Sequence, residues 1–130
     1  MKRINLKQLK KKAWKVFSEW VRKSEADWRG YVACCCCGKS YLWNSGEIHA
    51  GHWIHDKLDF EPMNVHPQCR NCNFKYNKNT NTLYAIYMAR RYGAKEMEEL
   101  RKLAYIFGND YSRAELMELI EKYGNSKISN

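Results

Sequence analysis

The chain has 130 residues, a length for one domain with a small core, and its 23 Lys and Arg against 14 Asp and Glu give a net charge of +9. No window approaches the ~20 consecutive apolar residues of a membrane span, and the start, M-K-R-I-N-L-K-Q-L-K-K-K, has no apolar h-region, so neither a membrane protein nor a secretory signal is expected. The basic excess favours a polyanionic partner, with nucleic acid first, an acidic membrane surface second, and a merely solubilising surface as the plainest alternative.

Residues 5 to about 25 read as an amphipathic helix. Leu6, Leu9, Ala13, Trp14, Val16, Phe17, Trp20 and Val21 recur at 3–4 residue intervals, and Lys7, Lys10, Lys11, Lys12, Lys15, Arg22 and Lys23 fill much of the remainder. The apolar stripe is expected to pack within the domain, with Trp14, Phe17 and Trp20 as one candidate dimer surface. The lysines are either a solvated face or a track for phosphates. Asp27 to Gly30 breaks the helix, and Tyr31-Val32 leads into Cys34-Cys35-Cys36-Cys37-Gly38. Tyr41-Leu42-Trp43 is a short strand and Asn44-Ser45-Gly46 is turn chemistry. Glu47 to Ile54 is therefore expected to return beside that strand as a hairpin, carrying His49 and His52. His55 to Pro67 has two prolines and no period, and reads as irregular.

Cys69-x-x-Cys72 opens a helix from about Asn71. Beyond it, Leu83, Tyr84, Ile86, Tyr87, Met88 and Arg91 fit a helix closed by Gly93. Glu96 to about Phe107 is a second, with Met97, Leu100, Leu103, Ala104 and Phe107 on one side. Ser112-x-x-Glu115 is a capping box for a third, ending near Gly124, with a frayed tail from Asn125. Residues 1–130 thus read as a single domain: a helix over 5–25, a zinc-stapled core over 31–80, and helices over 81–124. The class is α+β and mainly helical.

The cysteines carry the strongest signal. Two C-x-x-C pairs, Cys34/Cys37 and Cys69/Cys72, are separated by 31 residues, a spacing that suits one tetrahedral zinc ion. Gly38 permits the positive-φ turn such a knuckle needs, which makes Cys35 and Cys36 spacers, although either could compete for the ion. Four thiolates leave no open coordination position, so the role is structural, and it contributes on the order of 10 kcal/mol to folding. In a reducing compartment disulfides are the weaker reading. A thiol redox protein would leave the second pair unexplained.

Inside that bracket lie H-A-G-H-W-I at 49–54 and N-V-H-P-Q-C-R-N-C-N at 64–73. With F-S-E-W-V-R at 17–22, C-x-x-C-G-K at 34–39 and Y-x-x-x-M-x-x-x-Y-G at 84–93, these stretches resemble the phage NinG (Rap) recombination protein family. The spacing is also similar to that of the phage recombination endonuclease VII type of HNH endonuclease. The resemblance covers roughly residues 15 to 105. It implies a treble-clef ββα-metal (HNH) core flanked by the terminal helices, and a metal-dependent endonuclease acting on branched DNA such as Holliday junctions, in a phage-infected or prophage-carrying bacterial cell. Carried over by residue, His52 takes the general-base position, where a neutral imidazole accepts a proton from water. Asn73 takes the position of a catalytic Mg²⁺ or Mn²⁺ ligand, with Asn77 one turn later as its reserve. Asn64 is expected to pin the loop under the histidine. His66 is expected to hydrogen-bond the knuckle or to orient a ligand, and His55 to be a loop residue or a phosphate contact.

Many HNH enzymes carry an acidic metal ligand where this chain has Gly51. Residues two apart on a strand share a face, so His49 is the candidate replacement, especially if Gly51 permits a bulge. The missing acid also supports the alternative reading, a non-catalytic zinc-dependent nucleic-acid-binding module. Symmetric junction cleavage needs two active sites, which makes a homodimer attractive.

Overall fold

The computed structural model describes residues 3–74 and 78–124. Their order is α1 (Leu6–Ser24), β1 (Tyr31–Ala33), β2 (Ser40–Leu42), β3 (Ile48–His52), a 3₁₀ turn at Pro62–Asn64, β4 (Val65–Cys69), α2 (Arg70–Phe74), α3 (Lys78–Arg91), α4 (Ala94–Phe107) and α5 (Arg113–Gly124). This is a small α+β chain, mainly helical.

α1 begins where Asn5 accepts the Gln8 N–H at 2.8 Å and the Gln8 side chain accepts the Asn5 N–H at 3.3 Å, a reciprocal cap. Its buried face is Leu9, Ala13, Phe17 and Val21, and Leu116 and Tyr123 of α5 close over it. The Tyr123 ring lies 4.9 Å from that of Phe17 and 4.7 Å from that of Trp20. The apolar stripe of α1 is therefore largely covered by its own chain. α5 starts on the capping box read in the sequence: Glu115 N–H donates to Ser112 Oγ at 3.1 Å, and Ser112 N–H donates to Glu115 Oε1 at 3.0 Å.

The strand pairing departs from the sequence reading. The strand after the first knuckle folds back onto β1, with Val32 opposite Tyr41, and the strand carrying His49 and His52 pairs with β4, with Ala50 opposite Pro67. Val65 to Pro67, read as irregular, is strand. All five residues of β4 are buried, so no polar alternation marked it, and Pro67 disguised it further. Knuckle geometry explains the swap: Cys34 N–H donates to Lys39 O at 2.8 Å and Gly38 N–H to Cys34 O at 3.0 Å, which turns the chain straight back. Cys35 N–H donates to Pro67 O at 2.9 Å and ties the two small sheets together.

α4 begins at Ala94, two residues before the sequence expectation, directly after Gly93 (φ +89°). Leu100 and Ala104 pack with Trp53, Leu58, Tyr84 and Met88, whereas Phe107, expected on that side, is 65% exposed at the helix end. No helix among the described residues is long and apolar enough to cross a membrane.

Candidate metal cluster and histidine cleft

Cys34, Cys37, Cys69 and Cys72 converge so that their sulfurs all lie within 4.8 Å of one another. Cys37 and Cys69 sulfurs are 3.8 Å apart, the edge of a tetrahedron with ~2.3 Å zinc–sulfur bonds. Backbone N–H groups point at two of the sulfurs, Cys36 to Cys34 Sγ at 3.4 Å and Cys72 to Cys69 Sγ at 3.5 Å, as a charged thiolate requires. The Cys34 thiol is pulled down to about 4, chiefly by hydrogen bonding from Cys36, while burial pushes Cys37 and Cys72 up. A bound cation would remove that competition for protons, so the cluster could hold zinc. Cys35 lies against the α3–α4 core, whereas Cys36 lies between that core and the cluster, and Gln68 Nε2 donates to Cys36 Sγ at 3.3 Å.

Beside this cluster a cavity of about 570 Å³ brings His49, His52, His55 and Asn73 together with Trp14, Ser18 and Arg22 of α1. β3 pairs on one side only, so residues from both of its faces reach the cavity along its unpaired edge. The register is unbroken from Ile48 to His52; no bulge forms at Gly51. A Cβ at Gly51 would stand 2.0 Å from Gln68 Oε1, so the place an acid would take is filled by a buried glutamine from the next strand. None of the described residues lining this cavity is a carboxylate. A second cavity, about 710 Å³ between α3 and α4, is apolar apart from Glu98, Arg101 and Lys102 and holds no comparable cluster.

Asn73 and His49 touch directly. The Asn73 amide donates to His49 Nδ1 at 3.3 Å, and the Nε2–H at the other side of the ring then donates to Gly46 O at 3.1 Å. Turning the amide over would put Oδ1 beside Nδ1 at the same separation. Adjacent positions of an octahedron with ~2.1 Å bonds are ~3 Å apart, so the pair fits two neighbouring ligands of a small divalent cation. Asn77 lies outside the described residues.

His52 is held differently. Its ring stacks on Trp14, with centroids 5.1 Å apart and planes 18° from parallel. Nε2 sits 3.3 Å from the Asp59 carbonyl and 3.3 Å from Asp59 Oδ1. Both are acceptors, so Nε2 carries the hydrogen and Nδ1 is the basic nitrogen. Burial lowers the imidazole from its ordinary value, against the opposing pull of the Asp59 charge and carbonyl, and keeps it neutral at neutral pH. Lys10 Nζ lies 3.6 Å from Asp59 Oδ2, and with Lys7 and Lys11 it lines an adjoining hollow that also reaches His52.

Two buried polar residues hold this strand. Asn64 is fully buried: its oxygen accepts Ile54 N–H at 2.8 Å, and its amide faces the carbonyls of Ile54, Lys57 and Leu58 at 3.0, 3.1 and 3.2 Å. His66 does not meet the knuckle. Its Nδ1 lies 3.2 Å from the Tyr84 hydroxyl and its Nε2 2.7 Å from that of Tyr92, while Tyr84 donates to Gly51 O at 2.7 Å. Since Tyr84 spends its hydrogen on Gly51, His66 donates from Nδ1 and accepts from Tyr92. Burial pushes this imidazole down to about 3.

The model of the bacteriophage lambda NinG protein family matches residues 2–129. The chain belongs to the NinG family. Comparison with the curated proteins and with the solved structures returned no match. The NinG match takes in the whole cysteine cluster and every residue of the histidine cleft.

Four participants carry no signal that the sequence alone makes usable. Asp59 sits in the stretch read as irregular, seven residues from His52, with no period to link them. Trp14 and Arg22 belong to a helix stripe and a basic face, which periodicity can identify but cannot aim at a cavity. Tyr84 fell inside the recognised Y-x-x-x-M stretch, yet its contact with Gly51 depends on how α3 packs.

Proposed function

We propose that this NinG-family chain is a metal-dependent HNH-type DNA endonuclease that hydrolyses phosphodiester bonds in branched DNA, such as Holliday junctions, in the phage-infected cell. The observation that carries the reading is the meeting of a neutral, oriented His52 with a His49–Asn73 pair in one cleft, flanked by the basic face of α1. In this reading His52 Nδ1 takes the proton of the attacking water, and Asp59 orients the ring and stabilises the imidazolium that results. Water adds to phosphorus as the bond to the leaving 3′ oxygen breaks. A bound Mg²⁺ or Mn²⁺ supplies Lewis-acid stabilisation of that oxygen. Asn73 and His49 are the residues that would hold it. Lys7, Lys10, Lys11 and Arg22 follow the flanking phosphates.

A nicking assay on a synthetic four-way junction with Mg²⁺ or Mn²⁺, and with EDTA as control, tests this. His52→Ala is expected to lower the rate by roughly 10²–10⁴-fold while zinc content and DNA binding stay intact. Undiminished nicking by His52→Ala would refute the assignment. The second reading, a zinc-dependent nucleic-acid-binding module without catalysis, is favoured by the closed position at Gly51 and the absence of a carboxylate among the described residues of the cleft lining. It is the conclusion if the wild-type chain binds the junction and never cuts it.

A further inference from the structure

The turn between α1 and β1 is unusually well tied for a segment that presents a large apolar ring to water. Asp27 Oδ1 accepts the N–H groups of Arg29 at 2.9 Å and Tyr31 at 3.0 Å, Asp27 N–H donates to Tyr31 O at 2.8 Å, and Gly30 N–H donates to Asp27 O at 2.9 Å. Gly30 takes φ +88°, which closes the turn. On its tip stands Trp28, 92% exposed, where turn chemistry would favour a small polar residue.

Cations alternate with rings from this tip towards the cleft. The Arg29 guanidinium lies 5.8 Å from the Trp28 ring and 5.1 Å from that of Tyr31. Trp43 packs beside Gly30, whose backbone carbonyl accepts its N–H at 2.9 Å. Over Trp43 stand Lys23 at 5.2 Å and Arg22 at 5.9 Å, and Arg22 Nη1 donates to Trp43 O at 2.8 Å. Arg22 is also part of the cleft wall beside His49 and Asn73. The charge of Arg29 is shared with the Asp27 carboxylate at 3.3 Å, so Lys23 and Arg22 carry most of the attraction and Trp28 most of the stacking surface.

We infer that this strip, Trp28–Arg29–Tyr31 leading through Trp43, Lys23 and Arg22 to the cleft, binds an unpaired DNA strand, with Trp28 as a platform on which a base stacks. Every base has a π-face, so exposed rings interleaved with cations take single strands without reading sequence, whereas in a duplex those faces are buried in the stack. The inference rests on the proposed nuclease reading for its place beside a scissile phosphate. It gives that reading a specificity: DNA in which an unpaired strand leaves a duplex arm at the cut.

The test is binding in EDTA, where no cleavage occurs, at one fixed salt concentration. The probes are a fluorescein-labelled oligothymidylate and a blunt duplex, followed by anisotropy for wild type, Trp28→Ala and Trp28→Phe. Trp28→Ala is expected to weaken oligothymidylate binding by about tenfold, the scale of one lost base–aromatic stack, and to leave duplex binding unchanged. Trp28→Phe is expected to restore most of the loss. Equal binding of both probes by wild type and Trp28→Ala, equal loss on both, or failure of the phenylalanine to restore would each overturn the inference. Trp28 buries almost nothing, so zinc content and circular dichroism should match across the three proteins. Trp28-dependent strand binding without any nicking would sink the nuclease reading and leave this surface standing; nicking of overhang DNA indifferent to Trp28, with no stacking loss, would do the reverse.

Discussion

Asn64→Ala removes the side chain that holds the loop between β3 and β4. The side chain is fully buried and serves Ile54 N–H and the carbonyls of Ile54, Lys57 and Leu58, all within 3.2 Å. The loop it fills carries two non-glycine residues at positive φ, Asp56 at 63° and Leu58 at 54°, each costing on the order of 1 kcal/mol and needing support from outside the loop. Alanine leaves one N–H and as many as three carbonyls without this partner. At about 1 kcal/mol for each group that water does not reach, the loss is roughly 3–4 kcal/mol, a large share of a total stability of ~5–15 kcal/mol. Urea unfolding of the zinc-loaded protein, followed by circular dichroism, measures it. Asn64→Asp sharpens the result, because it keeps the volume and one acceptor but turns a carboxylate towards three carbonyls. It should be at least as destabilising as alanine. If Asn64→Ala costs less than about 1 kcal/mol, or Asn64→Asp behaves as wild type, the amide does not hold the loop.

Three further outcomes are expected. Chelating the metal, or changing Cys69→Ser, should unfold the core, since structural zinc supplies on the order of 10 kcal/mol, whereas Cys35→Ala should keep one zinc per chain by metal analysis; a fold indifferent to chelation would count against the cluster as a zinc site. His66 is neutral in the folded state down to about pH 3, whereas an unfolded imidazole takes its proton near 6.5. Its depressed value therefore adds stability above pH 6.5, which is lost at up to about 1.4 kcal/mol per unit as pH falls from there towards 3. Stability curves against pH should accordingly be flatter over that window for His66→Gln than for wild type, and parallel curves would show that the buried ring does not resist protonation. Gly51→Ala should cost about 1–3 kcal/mol by overpacking against Gln68, and a companion Gln68→Ala should recover part of it; a neutral Gly51→Ala would mean that the strands can separate there.

Local chemistry was legible wherever it was carried by residues close in sequence. The α1 stripe, the Ser112–Glu115 cap and the Cys34–Gly38 knuckle depend on contacts within a few residues, so period and spacing were enough to read them. The convergence of the two cysteine pairs was also readable, because one tetrahedral ion is the simplest arrangement that satisfies both. The partner of β3 was not. A buried strand containing Pro67 shows neither alternation nor strong propensity, and the choice between β2 and β4 was made by how sharply the knuckle turned the chain.

The sequence by itself determined the helices, the α5 cap, the four cysteines of the cluster and the presence of histidines between its halves. Tertiary structure alone decided which groups those histidines meet. It set Asp59 and Trp14 against His52, Asn73 against His49, two tyrosines against His66, and Gln68 in the space beside Gly51. The physical reason is that a side chain's chemistry is written at its own position, whereas its basicity and partners are set by neighbours that packing brings from up to tens of residues away.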